Sequence, residues 1–387
     1  MTNQHYSLGK LISYISAITV CLFPIFSPYE VAGPISIGTI ILLIGATFCL
    51  IIGGRIVINV PFMILLGTHS LLSIIAYFQL VEVTGTEMII WNISMAIINS
   101  LLIMQLVPFY EKEIFIKVLT TMSIVVSVFL FYQLFLISIG NIPHNGMLFK
   151  GLVAEGKWST SYMRPNSFFS EPSYFAIYIL PILGCMLANK KYIIAILCIS
   201  ALVLSTSTLG IAGGLIILLI YGVWNKRLKM IFFVITALFI IAIICVKYLN
   251  LDWLLEFNVN KSMNIDDRSQ IRFTGYIGYF DLLPTFNQII GVGFGQLSNY
   301  FKGYNLTNYS NAFILVLINF GIIGLMTYLI YIIWSFFNSN KEGYIFIVIL
   351  VLISSIDAFI YSANFYYILY FMLISTKSKF IQIKIKT

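Results

Sequence analysis

Lys157-Trp-Ser-Thr-Ser-Tyr-Met-Arg-Pro-Asn-Ser-Phe-Phe-Ser-Glu-Pro-Ser-Tyr-Phe-Ala176 is the stretch at which this chain stops being uniformly apolar. Long hydrophobic runs with almost no charge lie on either side of it. Within it Arg164 stands seven positions before Glu171, and a proline follows each. Pro172 suits the first turn of a helix, where its missing N–H costs nothing and its φ is already set. Ser170 or Glu171 would then cap that helix, and Ser173-Tyr-Phe-Ala leads straight into the next apolar run. A helix start beside an arginine offers an anion a place to bind. Together with a second basic loop near Arg268 and Arg272, this loop reads as the working site.

The runs around this stretch decide the fold. Of 387 residues 60% are hydrophobic and 9% charged, against roughly 25% charged in an average soluble domain. Such a chain cannot furnish a water-facing surface, so its solvent is lipid. Its 16% of aromatic residues suit lipid-facing surfaces and interfacial belts. At about 20 apolar residues per crossing, the runs give about twelve spans: 9–27, 35–54, 57–80, 88–109, 114–139, 173–189, 192–206, 208–224, 230–249, 311–336, 343–360 and 363–376. The expected fold is therefore an all-α polytopic integral membrane protein, one membrane domain over residues 1–387. The pair 192–206 and 208–224 is short and is separated only by Ser205-Thr-Ser-Thr208. The run from Leu11 to Phe26 lacks a small-x-small cleavage site and many spans follow it, so it reads as a retained first helix.

Basic residues orient the chain. With the N-terminus cytoplasmic, the inner loops hold Arg55, Lys112, Lys190, Lys191, Lys226, Arg227, Lys229 and Lys341, and the tail adds Lys377, Lys379, Lys384 and Lys386. The outer side keeps Lys150, Lys157, Arg164, Lys247, Lys261, Arg268, Arg272 and Lys302, nearly all in two long loops at about 140–172 and 250–310. Both termini are then cytoplasmic and both loops periplasmic. Topology accounts for the net charge of +8, and no nucleic-acid partner is called for. The cysteines Cys21, Cys49, Cys185, Cys198 and Cys245 all sit inside apolar runs without a C-x-x-C, which argues against a disulfide framework or a metal site. His5, His69 and His144 lie far apart in sequence, so neither metal nor cofactor is expected.

The chemistry-bearing candidates each have two readings. Arg164 offers a planar fork of donors matched to phosphate oxygens; its other reading is a headgroup anchor at the bilayer surface. Glu171 reads as a helix cap stabilised by the dipole, or else as a general base or the partner that aims Arg164. Asp266-Asp-Arg-Ser-Gln-Ile-Arg272 places Arg268 and Arg272 at i, i+4, which on a helix costs about 0.2–0.5 kcal/mol unless an anion lies between them. The alternative is a solvated loop neutralised by Asp266, Asp267 and Asp281. Gly291-Val-Gly-Phe-Gly295 lacks the Gly-Lys-Ser/Thr and the strand–turn–helix context of a nucleotide loop, so it reads as a tight turn or a backbone N–H cradle. Asp357, near the outer end of the eleventh span, is a costly intramembrane carboxylate and hence a functional candidate; Tyr361, one turn on, is placed to hydrogen-bond it. Glu30 is a further candidate base, or an ordinary loop acid.

These residues resemble a known family. Arg164-Pro-Asn-Ser-Phe-Phe-Ser-Glu-Pro-Ser-Tyr-Phe-Ala176 is similar to the arginine–glutamate-proline block of bacterial O-antigen and capsule polymerases and of the related O-antigen ligases. Arg272, then Gly291-Val-Gly-Phe-Gly295, Ser310-Asn311 and Phe320-Gly-Ile-Ile-Gly324 resemble that superfamily's second block. The resemblance implies an inner-membrane, metal-independent glycosyltransferase working at the periplasmic face on oligosaccharide repeats carried by undecaprenyl pyrophosphate. It implies a chain-length regulator and a flippase as partners in the same membrane. Arg164, Arg272 and Arg268 would bind the pyrophosphate, and a carboxylate, Glu171 first and Asp357 second, would take the acceptor's proton. Where ligases typically carry His-Asn this chain has Ser310-Asn311, and Asn319 stands where an acidic residue is often found. That departure favours repeat-unit polymerase over ligase. A flippase for the same lipid-linked sugar ranks third, because within the spans only His69 and Asp357 are candidates for a lined path.

Overall fold

The computed structural model describes residues 2–33, 35–79, 87–153, 164–226, 277–302, 311–377 and 380–384. They are mostly helical: α1 (Thr2–Phe26), α2 (Ile37–Gly53), α3 (Val60–Gln79), α4 (Glu87–Leu106), α5 (Lys112–Ser138), α6 (Pro172–Ala188), α7 (Tyr192–Leu204), α8 (Thr208–Trp224), α9 (Ile277–Asp281), α10 (Thr285–Ile290), α11 (Leu297–Tyr300), α12 (Ala312–Phe337), α13 (Lys341–Ser354) and α14 (Ala363–Ser375). Five segments, Leu8–Phe26, Val60–Gln79, Met88–Phe109, Lys112–Ser138 and Ala312–Phe337, are long and apolar enough to cross a membrane. Ile37–Gly53, Pro172–Ala188, Tyr192–Leu204, Thr208–Trp224 and Ala363–Ser375 are apolar but shorter. Eleven of the twelve expected runs coincide with a helix; the run 230–249 lies outside the described residues. Helix starts follow the sequence signals: Ser207, Asn311, Asn340 and Ser362 each accept an N–H of the first turn, which satisfies an otherwise orphaned donor.

By internal packing the chain divides into two units. Unit one comprises Met1–Val31, Ser36–Ile41 and Tyr110–Ile265; unit two comprises Ala32–Ile35, Leu42–Phe109 and Asp266–Thr387. Helix α2 therefore begins in one unit and ends in the other.

Unit one is built around α6, which is buried from Phe175 to Leu187 on every side. A helix apolar all round belongs at the centre of a bundle. α8 approaches it closely: a Cβ on Gly210 would meet the Ala176 methyl at 3.2 Å, the small-residue contact that lets two helices come together in lipid. α1 lies along α5, and α7 fills the space beside α5, α6 and α8. At one end the chain after α5 folds back on the α1–α2 connection. There Leu148 N–H donates to Tyr29 Oη at 2.8 Å and Glu30 N–H to Leu152 O at 2.7 Å.

Unit two is built around α14, buried from Phe365 to Leu373. Tyr366 Oη donates to Ala96 O of α4 at 2.9 Å, and Tyr328 of α12 shares a 2.8 Å bond with Ser354. A small antiparallel sheet, β1 (Arg55–Ile58) on β2 (Ile381–Lys384), pairs Arg55 with Lys384 and Ile58 with Ile381. Nearby in sequence to β2, Asn340 N–H donates to Ser375 O at 3.0 Å and Lys377 N–H to Asn338 O at 2.6 Å.

The described part of the second long loop, 277–302, is an ordered segment rather than an open loop. Its short helices α9–α11 carry Leu283, Val292 and Phe301 into a cluster with Ile314 and Ile318 of α12. α12 itself is broken at Gly321, whose φ is +66°. Two loop amides fill the break: Val292 N–H donates to Ile318 O at 3.0 Å and Gly293 N–H to Asn319 O at 2.9 Å. The loop thus takes over carbonyls that an unbroken helix would have satisfied itself. The fit is reciprocal, since a Cβ on Gly321 would run into the carbonyl of Ile289 and one on Gly291 into that of Asn319.

Candidate functional site

The predicted site residues fall in both units. In unit one, the turn between Arg164 and α6 is organised from α5 by Gln133, a side chain the sequence reading passed over. Fully buried, Gln133 accepts the N–H groups of Asn166 and Ser167 on its Oε1 at 3.0 and 2.8 Å. Its Nε2 donates to His144 O at 2.8 Å and to Asn166 Oδ1 at 3.2 Å. Ser167, held at φ +55°, also ties the turn to α5 by donating its hydroxyl to Val126 O at 2.7 Å. A Gln inside the apolar run 114–139 was the available signal, because an amide side chain in such a run needs a reason.

Arg164 enters this turn half-buried and donates from Nε to Thr206 Oγ1 at 3.3 Å. Thr206 belongs to the Ser205-Thr206-Ser207 connection between α7 and α8, all three residues buried. α7 has 13 residues and starts beside Lys190 and Lys191, and at 1.5 Å per residue it rises only ~20 Å. That rise is short of the ~30 Å hydrocarbon layer of a bilayer. In the connection Thr206 is left-handed, at φ +60°, a strained choice for a β-branched residue that costs of order 1–3 kcal/mol.

Glu171 is exposed and occupies the N-cap position of α6, extended at φ −139° and ψ 155°, with Pro172 at the first helical position as expected. Its carboxylate makes no cap hydrogen bond to the helix backbone; it accepts the Ser173 hydroxyl at 3.0 Å. The simple capping reading is thereby reduced to position alone, and the carboxylate stays open to solvent at one end of the turn that Arg164 begins.

In unit two, Asp357 lies half-buried in the α13–α14 connection, its backbone N–H on Ile353 O at 2.8 Å. The expected Tyr361–Asp357 hydrogen bond is replaced. The Tyr361 hydroxyl lies 2.7 Å from His69 Nδ1, and His69 Nε2 lies 3.0 Å from Gly324 O. A carbonyl can only accept, so in the neutral ring Nε2–H donates to Gly324 and Nδ1 takes the Tyr361 proton. The imidazole stacks on Phe320 at 4.0 Å. Tyr361, at φ +57°, and Phe294 close the same aromatic cluster. Phe294 N–H donates to Ser73 Oγ at 3.2 Å, and Asn92 Nδ2 reaches Phe294 O at 3.4 Å. The Gly291–Gly295 stretch is thus a tight insertion rather than an open cradle: the amides of Val292, Gly293 and Phe294 are spent on α12 and α3. Arg268, Arg272 and Ser310 lie outside the described residues.

Compared with known proteins, residues 193–329 match the family model described as O-antigen ligase. The match includes the Arg272 to Gly324 block and begins after the Arg164 turn. No curated protein matches the chain.

Proposed function

We propose, from the place of this chain in the O-antigen polymerase/ligase superfamily, that it polymerises undecaprenyl-pyrophosphate-linked oligosaccharide repeats into O-antigen or capsule at the periplasmic face of a bacterial inner membrane. The observation that carries this reading is Arg164, a guanidinium held at Nε by a buried threonine, seven residues before the exposed carboxylate at the start of α6. In the reaction a hydroxyl of the acceptor repeat attacks the anomeric carbon of the donor chain. The bond from that carbon to the pyrophosphate oxygen breaks as the new glycosidic bond forms, and the carrier leaves as the pyrophosphate anion. Arginines stabilise the charge that develops on the departing oxygen, a role assigned to Arg164, Arg272 and Arg268. The hydroxyl proton passes to a carboxylate, Glu171 by preference and Asp357 second.

Three pairings support the topology this requires. β1 lies against β2, residues 338–340 against 375–377, and residues 29–30 against 148–153. Each brings together two stretches that the twelve-span count puts on one side of the membrane, the first two cytoplasmic and the third periplasmic.

The matched family's description favours a second reading, a ligase that moves finished polymer to another acceptor. Ser310, where ligases typically carry histidine, favours polymerase, since a serine hydroxyl is a poor base near neutral pH. Purified protein incubated with an undecaprenyl-pyrophosphate-linked repeat should yield a ladder of polymer, abolished by Arg164→Lys, which keeps charge and loses the fork. Deletion in an O-antigen host should leave lipopolysaccharide capped by a single repeat. Long lipid-linked chains accumulating with no O-antigen attached would instead identify the ligase.

A further inference from the structure

We propose that Thr206 is a positioning residue that aims the Arg164 guanidinium at the substrate pyrophosphate, an inference that rests on the pyrophosphate-binding role of Arg164. The α7–α8 connection asks for glycine at this position: φ is +60°, where a β-branched side chain is an outlier and glycine is relaxed. Threonine stands there, buried, with Oγ1 as the acceptor of Arg164 Nε at 3.3 Å. The flanking hydroxyls serve the helix ends. Ser205 Oγ donates to Leu202 O at 2.8 Å, and Ser207 Oγ accepts Gly210 N–H at 3.2 Å as the cap of α8. Those two bonds explain Ser205 and Ser207 as structure; the side chain of Thr206 points to the arginine instead.

The consequence is geometric. A guanidinium is planar, with its five donors fixed relative to one another. Holding Nε therefore fixes the plane, and with it the direction in which the two Nη groups face a pair of phosphate oxygens. Without the Thr206 acceptor the arginine keeps its charge but loses the bond that fixes its plane at Nε, so binding of the paired phosphate oxygens weakens. The left-handed backbone is the strain that brings the hydroxyl to the arginine, in line with strained residues being retained where a site needs them.

The test uses the full chain in nanodiscs, with undecaprenyl pyrophosphate as the probe and the melting temperature recorded in parallel. Thr206→Val keeps the shape and removes the acceptor; affinity should fall about tenfold, as expected for a hydrogen bond to a charged group. Thr206→Ser should recover binding to within about twofold, since the hydroxyl is kept. Thr206→Gly should lose as much affinity as the valine variant while melting no lower than the natural protein, because the backbone strain is relieved. A purely structural threonine gives the opposite pattern, with affinity lost only in step with stability or not at all, and that result overturns the proposal. Arg164→Ala separates the two claims. If it binds the probe as well as the natural protein, the pyrophosphate role of Arg164 fails and this inference with it. If it loses binding while the valine and glycine variants keep theirs, only the role of Thr206 fails.

Discussion

The Arg164–Thr206 contact of unit one and the Gly291–Gly321 crossing of unit two both hold irregular backbone in a chain whose solvent is lipid. They solve the same problem by opposite means. In unit two, backbone meets backbone: glycines at positive φ let Val292 and Gly293 amides reach the carbonyls of Ile318 and Asn319. In the two unit-one connections that meet at Arg164 the left-handed positions are Ser167 and Thr206, which retain side chains, and the bonds there are made by Gln133, Asn166 and hydroxyls. Irregular backbone at membrane depth is tolerated only where protein or a wet cavity satisfies it. Glycine relieves such a backbone without strain, so at Ser167 and Thr206 the hydroxyls, each hydrogen-bonded to another segment, are what the strained positions keep. The crossing in unit two is a structural lock, and the turn in unit one is a site.

This contrast breaks most visibly by adding one carbon to the lock. Gly321→Ala puts a Cβ into the Ile289 carbonyl at a left-handed backbone and should cost roughly 2–5 kcal/mol. Little monodisperse protein should survive extraction, and a normal yield with a normal melting temperature would undo the claim of a backbone lock. Next comes removal of atoms from the site. Gln133→Leu strands the buried amides of Asn166 and Ser167 at about 2–4 kcal/mol, seen as a lower melting temperature together with lost polymerisation. Gly293→Ala should be milder, about 1–2 kcal/mol, because its new methyl meets the flexible end of Ile89 rather than backbone; equal damage from Gly293→Ala and Gly321→Ala would blur the distinction. Ser167→Gly is the smallest: relief at φ +55° should offset the lost bond to Val126 to within about 0.5 kcal/mol. A large loss there, read in the same melting assay, would mean that the hydroxyl matters far more than its geometry suggests.

Much of the architecture could be read in the sequence because it depends on local signals. Most apolar runs ended near the ends of their helices and Pro172 announced the start of α6, but the run 343–360 overshot α13, which stops at Ser354 and leaves Asp357 outside the helix. What escaped depends on partners far along the chain. Gln133 gains its meaning from residues 33 and 34 positions away, and Tyr361 left Asp357 for His69, 292 positions away. Phe320-Gly-Ile-Ile-Gly324 reads as an ordinary helix until Ile289 and Val292 are seen to occupy the notch at Gly321. At the candidate site, Arg164 and Glu171 were visible as rare charges in an apolar chain. Thr206 was not, because nothing in Ser205-Thr-Ser-Thr208 betrays that one residue is left-handed.

The His69–Tyr361 bond has a consequence for how the protein is made. α3 enters the membrane early, while the residue that completes its buried imidazole is 292 positions behind it. At about 5–20 residues per second of synthesis, His69 waits roughly 15–60 s for Tyr361. During that interval the larger stretch of unit one, Tyr110–Ile265, is synthesised between the two main stretches of unit two. The α3–α4 hairpin must therefore sit in the bilayer, or in the insertion machinery, with a polar ring that has not yet met its partner. Unit two is thus completed late, since β1 also waits for β2, 326 positions on from Arg55 to Ile381, before the two strands can pair.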